Sequence, residues 1–491
     1  MKYKQIAIAA CALLLILSCT NLSAILADEH PRYHQHMERP AYTPCAEHIG
    51  GETLCTHLPI VIIDTGGEYI PGVPIEGESS DHTNTAFTVT ADGAAMLQAQ
   101  LCVVDHTAGN NHPTDEPTME SSINIRVRGN SSRYFDKQSY LIKTLSDDGL
   151  SSRDVPMLGM DAFDEWALYG PYLDKTLIRN YMWYNIAGEI MDYAPNVRFC
   201  EVILNGEYQG LYVMTETINS GAGARMRLTE PSSDWVRSGY ILRLDRGSGN
   251  DVRNIDTFSQ YALRNLQDMD IVYPGTKWLT PERKAWIQQD FSDAEKTLYS
   301  YDYNTAPYGW KENWDIDSFA AYFILNEFTC NYDAGWLSTY IYKDPRGKYK
   351  MCIWDFNSAC DNYGHPVTAP QHFELQYNVW YYMLSKDEDF IGEVIRKYRD
   401  LRQDILSDEY LIEYINSTVA WLGPAIERNF SVWGYTLRQD MIQPAERNPH
   451  THAQALEQLC SFCAERGMWM DEHIEILRQY CHESKNKKFN H

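Results

Sequence analysis

The spacing of apolar residues changes near residue 280, and this change limits the folds that the chain can adopt. Before it, short apolar runs alternate with turn-forming residues, as in β-strands; after it, apolar residues mostly recur at helical spacing. The predicted strands are 58–64, 94–105, 123–128, 139–143, 199–204, 208–216 and 239–244, and the predicted later helices are 281–299, 313–329, 387–407, 408–421 and 453–480. The sequence therefore predicts an α+β fold with a β-rich N-terminal lobe (58–218) and a mainly helical C-terminal lobe (219–491).

Two predicted elements break this division. A helix is expected at 174–192, where Asp174 precedes a run of apolar residues at helical spacing. A hairpin is expected among the later helices, because strands 339–343 and 349–354 flank a turn that contains Pro345 and Gly347. Polar residues on either side of these two elements are candidates for a functional site.

The first 27 residues are typical of an export signal. Lys2 and Lys4 precede an apolar run, 6–17, that is too short to span a bilayer. The segment Ile16-Leu17-Ser18-Cys19 resembles a bacterial lipobox, which predicts a possible lipid anchor at Cys19. The alternative is cleavage near Ala24 or Ala27 and simple secretion. In either case we expect an exported protein, at the cell envelope or secreted.

The rest of the chain is expected to carry no transmembrane helix, because no later apolar run is long enough. Residues 28–57 are polar and rich in His and Pro, and they are interpreted as a linker. Ten of the twelve cysteines lie beyond the signal segment, in a compartment where disulfides form. Cys45 and Cys55 could close a small loop.

The net charge of −25 argues against nucleic acid as a partner, since a polyanion would be repelled. A nucleotide is compatible with this charge if metal ions and a few local cations neutralise its phosphates. The sequence contains no Walker A loop, no Rossmann glycine pattern and no zinc-protease motif. The chemistries that depend on these motifs therefore lack support in the sequence.

Asp333 and Asp355 flank the predicted hairpin. A hairpin returns the chain to its starting point, so the two carboxylates can face one cleft although they are 22 residues apart. Phosphoryl transfer needs Mg²⁺ held by carboxylates, a cation on the phosphates and a carboxylate near the incoming hydroxyl. The pair therefore predicts a metal-dependent phosphoryl-transfer site.

The order of the surrounding elements agrees with that of protein-kinase-like folds. A strand leads to a small-residue loop (129–132), and the next strand carries Lys143. The helix 174–192 and a hairpin ending in Glu216 follow, and the two aspartates come later. In kinase-like folds the loop covers the phosphates and the strand lysine contacts them. The helix braces that lysine, and the later strand leads into the hinge.

Five motifs in this order resemble the spore-coat CotH kinase family. The motifs are Arg128-Gly129-Asn130-Ser131-Ser132 with 137–143, then 172–180, 204–216, 326–333, and 342–344 with 353–357. The likeness runs from about residue 58 to about residue 362. It implies an atypical, secreted-type protein kinase with a two-lobed fold, using ATP and Mg²⁺ or Mn²⁺, with a Ser or Thr hydroxyl of a protein as acceptor.

The resemblance also implies roles for single residues. Asp333 matches the catalytic aspartate and Asp355 the metal-binding aspartate. By comparison with the familiar kinases, Asn357 or Asn362 could supply a further metal ligand. The residues implied near the nucleotide are Gly129, Asn130, Ser131, Lys143, Arg179 and Glu216. The chain departs from the familiar kinases in two places: Ser338 stands where they have a metal-binding Asn, and many family members have Asp where this chain has Asn357.

Other interpretations remain open at this point. Asp333 could close a turn, Lys143 could be a strand-edge charge, and Arg179 could pair with Asp174 or Glu189. Glu216 could be a plain carboxylate. The whole chain could be a non-catalytic, surface-anchored binding or structural protein that keeps the kinase-like fold, or an enzyme that transfers a nucleotide to a hydroxyl (AMPylation) instead of a phosphate.

Overall fold

Strands dominate the first part of the chain and helices the second. The computed structural model describes residues 32–45, 54–75, 86–221, 223–246, 252–263, 267–305, 309–362 and 371–482. Within these ranges, the predicted β-rich N-terminal region and helix-rich C-terminal region are confirmed. The chain from Gln35 onward forms one compact unit. The proposed division between residues 218 and 219 stays a prediction.

Seven strands close into a barrel because one side of each strand is apolar. Along β3, Ile123, Ile125 and Val127 are buried inside the barrel, while Arg126 and Arg128 alternate with them on the outside. The order around the barrel is β1-β2-β3-β4-β7-β9-β8, and the parallel pairing of β1 with β8 closes it. The barrel strands are β1 Ile60–Asp64, β2 Leu97–Val104, β3 Met119–Arg128, β4 Ser139–Thr144, β7 Glu165–Tyr169, β8 Val197–Leu204 and β9 Glu207–Glu216.

A second, antiparallel sheet follows the barrel in sequence. Its order is β11-β12-β10-β13-β14, so the predicted hairpin (β13 and β14) lies beside β10. The strands are β10 Tyr240–Asp245, β11 Asn254–Ile255, β12 Asp268–Tyr273, β13 Thr339–Lys343 and β14 Lys350–Cys352; β5 Val155–Met157 and β6 Met160–Phe163 form a separate small hairpin. This sheet contributes to the largest apolar core, together with the helices.

The helices pack on this sheet and on one another. They are α1 Gln35–Glu38, α2 Arg179–Ile190, α3 Phe258–Leu263, α4 Pro281–Tyr299, α5 Ile316–Thr329, α6 Val379–Leu384, α7 Glu388–Arg402, α8 Asp408–Leu422, α9 Pro424–Trp433 and α10 His452–His473. Helix α5 is capped at its start by Asp315, whose carboxylate accepts a hydrogen bond from the Ser318 N–H, and at its end by Cys330 in the left-handed conformation. None of the helices in the described ranges is both long enough and apolar enough to cross a membrane.

The structure corrects several predicted elements. Helix α2 begins at Arg179, five residues later than predicted, because the Asp174 carboxylate accepts hydrogen bonds from the N–H groups of Thr176 and Arg179 and holds the preceding residues in a turn. Strands β5, β6, β7, β11 and β12 and helices α1, α3, α6 and α9 were not predicted from the sequence. The signal segment 1–27, with Cys19, lies outside the described residues. In the predicted linker 28–57, Gln35 is buried and its side chain hydrogen-bonds to the backbone of Phe199.

Candidate active site

Three aspartates meet at one end of the second sheet. Because β10 and β13 are antiparallel, the end of β10 lies beside the start of β13, as the pairing of Leu244 with Thr339 shows. The end of β14 lies at the same edge, since Cys352 pairs with Tyr340. Asp245 is the last residue of β10, Asp333 precedes β13, and Asp355 follows β14. The topology thus brings together the two aspartates that the sequence selected and a third that it did not.

The electrostatics agree with this proximity of the carboxylates. Burial is the main cause that raises the pKa of Asp355 to about 6, and the charges of Asp333 and Asp245 contribute to this rise. The charge of Arg128 opposes it. Burial also raises the pKa of Asp333, with Asp245 again adding to the shift and Arg246 opposing it. Carboxylates that repel one another in this way are a favourable setting for a bound cation.

Helix α2 holds the loop after Asp355 in place. The Asp355 N–H donates to the Tyr184 hydroxyl at 2.8 Å, and the Phe356 N–H donates to Asn180 Oδ1 at 2.8 Å. Asp355 itself has a φ of +59°, a left-handed conformation that Asp tolerates better than most residues do. Phe356 is fully buried and packs against the rings of Trp183 and Tyr184. These contacts fix the direction of the Asp355 side chain.

Arg179 supports the same loop. Its side chain is 1% exposed and pairs with the Asp174 carboxylate at 2.5 Å. Its Nε donates to the backbone carbonyl of Ala359 at 3.0 Å, and its Nη2 to that of Cys360 at 3.2 Å. The ion pair with Asp174, one of the two alternatives, is therefore present. The guanidinium braces the loop of Asp355, and this placement replaces our expectation that Arg179 contacts phosphates.

Basic side chains line the outer face of the barrel strands β3 and β4. Arg126 and Arg128 are half-buried, and neither forms an ion pair with a described residue. The Arg128 guanidinium lies 5.3 Å from the centre of the Trp354 ring, next to Asp355 in sequence. Burial and the nearby Arg128 lower the pKa of Arg126, and Arg253 and Arg243 lower it further. Glu165 opposes this shift. Arg126 and Arg128 form no ion pair with a described residue, so these two cations are suited to bind an anion.

Lys143 lies on the same face. It pairs across the strands with Asn124, whose side chain points outward like that of Arg126. Its Nζ is 2.7 Å from a carboxylate oxygen of Glu165 on β7, and the lysine is 42% exposed. A lysine oriented by a glutamate in this way can reach a ligand over the sheet while keeping a fixed direction.

The other predicted nucleotide contacts lie in two places. Gly129, Asn130 and Ser131 directly follow β3, where Gly129 has a φ of +111° and its carbonyl accepts a hydrogen bond from Arg133 Nε at 2.6 Å. They are thus at the end of the strand that carries Arg126 and Arg128. Glu216, at the end of β9, is 5% exposed and bonds to the Asn196 N–H and the Arg225 guanidinium. Its side chain is engaged in these structural contacts.

Asn357 lies two residues beyond Asp355. Its Oδ1 is 3.2 Å from the Ser358 hydroxyl, and its carbonyl accepts a hydrogen bond from Asn362 Nδ2 at 2.7 Å. Its backbone N–H also supports the Asp355 carboxylate. Asn362 is buried, and its amide holds the loop. The metal-ligand role of Asn357 stays a prediction.

Sequence reasoning missed four residues of this site: Asp245, Arg126, Arg128 and Glu165. A signal for Asp245 was available, because it is an acidic residue at the end of an apolar strand, much as Asp355 comes after the apolar run 351–354. The two arginines were visible as the polar half of an alternating strand. Glu165 begins β7, a strand of five residues that was not predicted.

The barrel, the antiparallel sheet and the helices define a mixed α/β protein. The acidic edge of the sheet faces a basic strand, and together they form a candidate site for an anionic ligand. The family model described as CotH kinase protein matches residues 125–470, more than two thirds of the chain, and the chain belongs to this family. It is also similar to the protein named inner spore coat protein H of Bacillus subtilis (strain 168), with 21% identity over 365 residues that cover 72% of this chain and 88% of that protein. The resemblance found in the sequence is confirmed.

Proposed function

We propose that this chain is an atypical protein kinase with a two-lobed, kinase-like fold that transfers phosphate from ATP to a Ser or Thr hydroxyl of a protein. One observation carries the proposal: the aspartates at the sheet edge lie beside Arg128 of β3, which forms no ion pair with a described residue and has Arg126 as a neighbouring cation. This combination provides ligands for a divalent cation and counter-charges for phosphates at one place. The family membership agrees with it.

The donor set fits Mg²⁺ or Mn²⁺. Both ions prefer carboxylate and amide oxygens, and Asp355 with Asn357 offers them on one short loop. The raised pKa of Asp355 supports this assignment, since a cation would relieve the repulsion between that carboxylate and Asp333. When bound, the ion would neutralise charge on the phosphates.

Side chains of the protein would bind the acceptor, bind the phosphates and support the loop of Asp355. Asp333 would hold the acceptor hydroxyl and accept its proton, for which its raised pKa is favourable. Arg126, Arg128 and Lys143 would bind and orient the phosphates, and the turn at Gly129–Ser131 would cover them. Tyr184 and Arg179 would keep the loop of Asp355 in place.

The place of action follows from the predicted export signal. We propose that the protein acts at the cell envelope or outside the cell, with a possible lipid anchor at Cys19. The name of the spore-coat relative is compatible with a surface location for this chain. The acceptor would then be an exported or surface protein.

The proposal is tested by incubating the purified protein with radiolabelled ATP and Mg²⁺ or Mn²⁺. Labelling should require the metal and be abolished in Asp333→Ala and in Asp355→Ala. The matched control is Asp293→Ala, which removes a partly exposed carboxylate on α4 that pairs with Lys296; it should label like the wild type. ATP labelled at the γ- or α-phosphate separates phosphorylation from AMPylation.

The alternative is a non-catalytic surface protein, which Ser338 and Asn357 favour because they depart from a metal site rich in carboxylates and amides. It predicts that no variant or metal produces labelling. If the wild type is folded and unlabelled under all these conditions, or if both aspartate variants label normally, the kinase proposal is wrong.

A further inference from the structure

Three segments remote in sequence meet beside the barrel, far along the chain from the candidate active site. They are residues 42–45, residues 54–58 before β1, and the β2–β3 connection at 106–115. Two backbone hydrogen bonds join Thr56 and Asn111 in both directions. The buried Asn111 side chain also donates to the Leu58 carbonyl. The three segments are therefore held in a defined arrangement.

Two thiols and an imidazole converge at this junction. One potential ligand atom from each of Cys45, Cys55 and His112 lies within 4.8 Å of the other two. No disulfide joins any of the cysteines in the described residues, so these two sulfur atoms are near each other without being bonded. Tetrahedral zinc places sulfur and nitrogen ligands at about 2.3 and 2.0 Å from the metal, which requires them to be separated by roughly 3.5 Å.

His112 has the support that metal-binding histidines usually have. Its Nδ1 is 3.1 Å from a carboxylate oxygen of Asp115, which also accepts the His112 N–H. A carboxylate on one ring nitrogen fixes the ring and makes the other nitrogen a better ligand. We therefore take Nε2 as the ligand atom.

A donor also faces one of the sulfur atoms. The Asn110 amide lies 3.3 Å from Cys55 Sγ and donates to the carbonyl of Thr43. An amide N–H pointing at sulfur stabilises a thiolate, the form that binds metal.

We propose that Cys45, Cys55 and His112 form a zinc site that fastens the segment before β1 to the β2–β3 connection. The fourth position is left to water or another donor. Each thiol gives up its proton when the metal binds. Zinc is preferred to Mg²⁺ because two sulfur ligands suit a soft or borderline cation.

The site is tested by measuring zinc in the full-length protein after reduction, incubation with zinc chloride and gel filtration. We expect about one zinc per chain, and almost none in Cys45→Ser or Cys55→Ser. The matched control is Cys102→Ser, a partly exposed cysteine on β2 outside this cluster, which should keep its zinc. Asp115→Asn should weaken binding by about tenfold to a hundredfold.

Measurements on the wild type make the test independent of variant folding. Zinc should protect Cys45 and Cys55, but not Cys102, from alkylation, and cobalt(II) should give thiolate-to-metal absorption in the near ultraviolet. Equal alkylation with and without zinc would overturn the proposal. So would a Cys45–Cys55 disulfide in the protein isolated without reductant, together with no zinc uptake after reduction.

Discussion

The Tyr184 hydroxyl accepts a hydrogen bond from the backbone N–H of Asp355 at 2.8 Å. This contact joins α2 to the loop that presents the acidic side chain, at a residue in the left-handed conformation. Helix α2 adds two further contacts to the same loop, from Asn180 and Arg179. The direction of the Asp355 carboxylate therefore depends on a helix that follows the barrel strand β7 in sequence.

The first prediction is that Tyr184→Phe weakens metal binding. The substitution keeps the ring and leaves a part-buried N–H unsatisfied, which costs about 1–3 kcal/mol in the free energy of unfolding. The loop then gains alternative positions, and we expect a higher Mn²⁺ concentration for half-maximal labelling. Titration of the metal in the labelling assay measures this.

Tyr381→Phe is the control, because its hydroxyl bonds the Phe319 carbonyl within the helical region. It should lower the free energy of unfolding without changing the metal titration. A change in both variants alike would show that lost stability, and not the position of Asp355, determines metal binding.

The second prediction concerns pH and Asp355. Its folded pKa of about 6 lies above the unfolded value of about 3.9. Between these values the folded state binds more protons than the unfolded state, so this group makes the metal-free protein less stable as pH rises from about 4 to about 6. Asp355→Asn should therefore raise the free energy of unfolding at pH 7 but not at pH 4.

The measurement is urea denaturation of wild type and Asp355→Asn in EDTA at both pH values. We expect the free energy of unfolding of Asp355→Asn to exceed that of the wild type by about 1–2 kcal/mol at pH 7. This is less than the full pKa shift would give, because Asp355 is only partly buried. With Mg²⁺ present the wild type should regain this difference. A variant that is less stable than the wild type at pH 7 in EDTA would contradict the assignment.

The third prediction separates two kinds of arginine. Arg126→Ala removes a half-buried cation that forms no ion pair with a described residue, so stability should change little, whereas the KM for ATP should rise about tenfold to a hundredfold. Arg179→Ala leaves the buried Asp174 carboxylate without its partner and should cost about 3–5 kcal/mol in the free energy of unfolding. Steady-state kinetics and urea denaturation of both variants measure the contrast. Equal effects of both on stability would contradict it.

The fourth prediction concerns Lys143 and Glu165. Because Lys143 is 42% exposed, the pair should contribute less than about 1 kcal/mol to the free energy of unfolding. Its role would be to orient the lysine toward phosphates, so Lys143→Met should lower kcat/KM strongly and Glu165→Gln less so. The double variant should be no worse than Lys143→Met, because both changes act through one side chain. Additive losses would show that Glu165 acts independently.

Some of this site was predictable because its signals are local. Asp333 and Asp355 stand on either side of a strong turn, and a hairpin brings its ends together in any fold. The strand–loop–strand pattern at 123–143 was likewise visible from alternation and turn residues. In each case, one stretch of sequence contains all the information needed.

The missed residues depend on pairing between distant strands. Asp245 reaches the site only because β10 pairs with β13, almost a hundred residues later, and sequence spacing does not specify that register. Glu165 meets Lys143 because the short strand β7 pairs with β4. Arg179 was assigned to phosphates by its position in a motif. Its burial and its partners Ala359 and Cys360 could only be known from the tertiary structure.

The last prediction concerns the C-terminal helix α10, which carries no recognisable motif. Arg466 is fully buried there; its Nη2 lies 3.1 Å from a Glu327 carboxylate oxygen and its Nε donates to the Glu327 carbonyl. Glu327 lies in α5, six residues before Asp333, and burial raises its pKa to about 7 although Arg466 opposes the shift. The ion pair thus anchors α10 to the segment that leads to Asp333, the proposed catalytic residue.

Arg466→Met should cost about 3–5 kcal/mol in the free energy of unfolding, because it leaves a buried carboxylate unpaired. Adding Glu327→Gln should recover much of this loss, since a neutral amide still accepts the N–H groups of Glu374 and Leu375. Urea denaturation of the two single variants and the double variant gives the coupling energy. If α10 only completes the core, the losses in the free energy of unfolding of the two single variants add in the double variant. If the pair anchors α10 as proposed, the double variant is more stable than Arg466→Met, and labelling returns with stability.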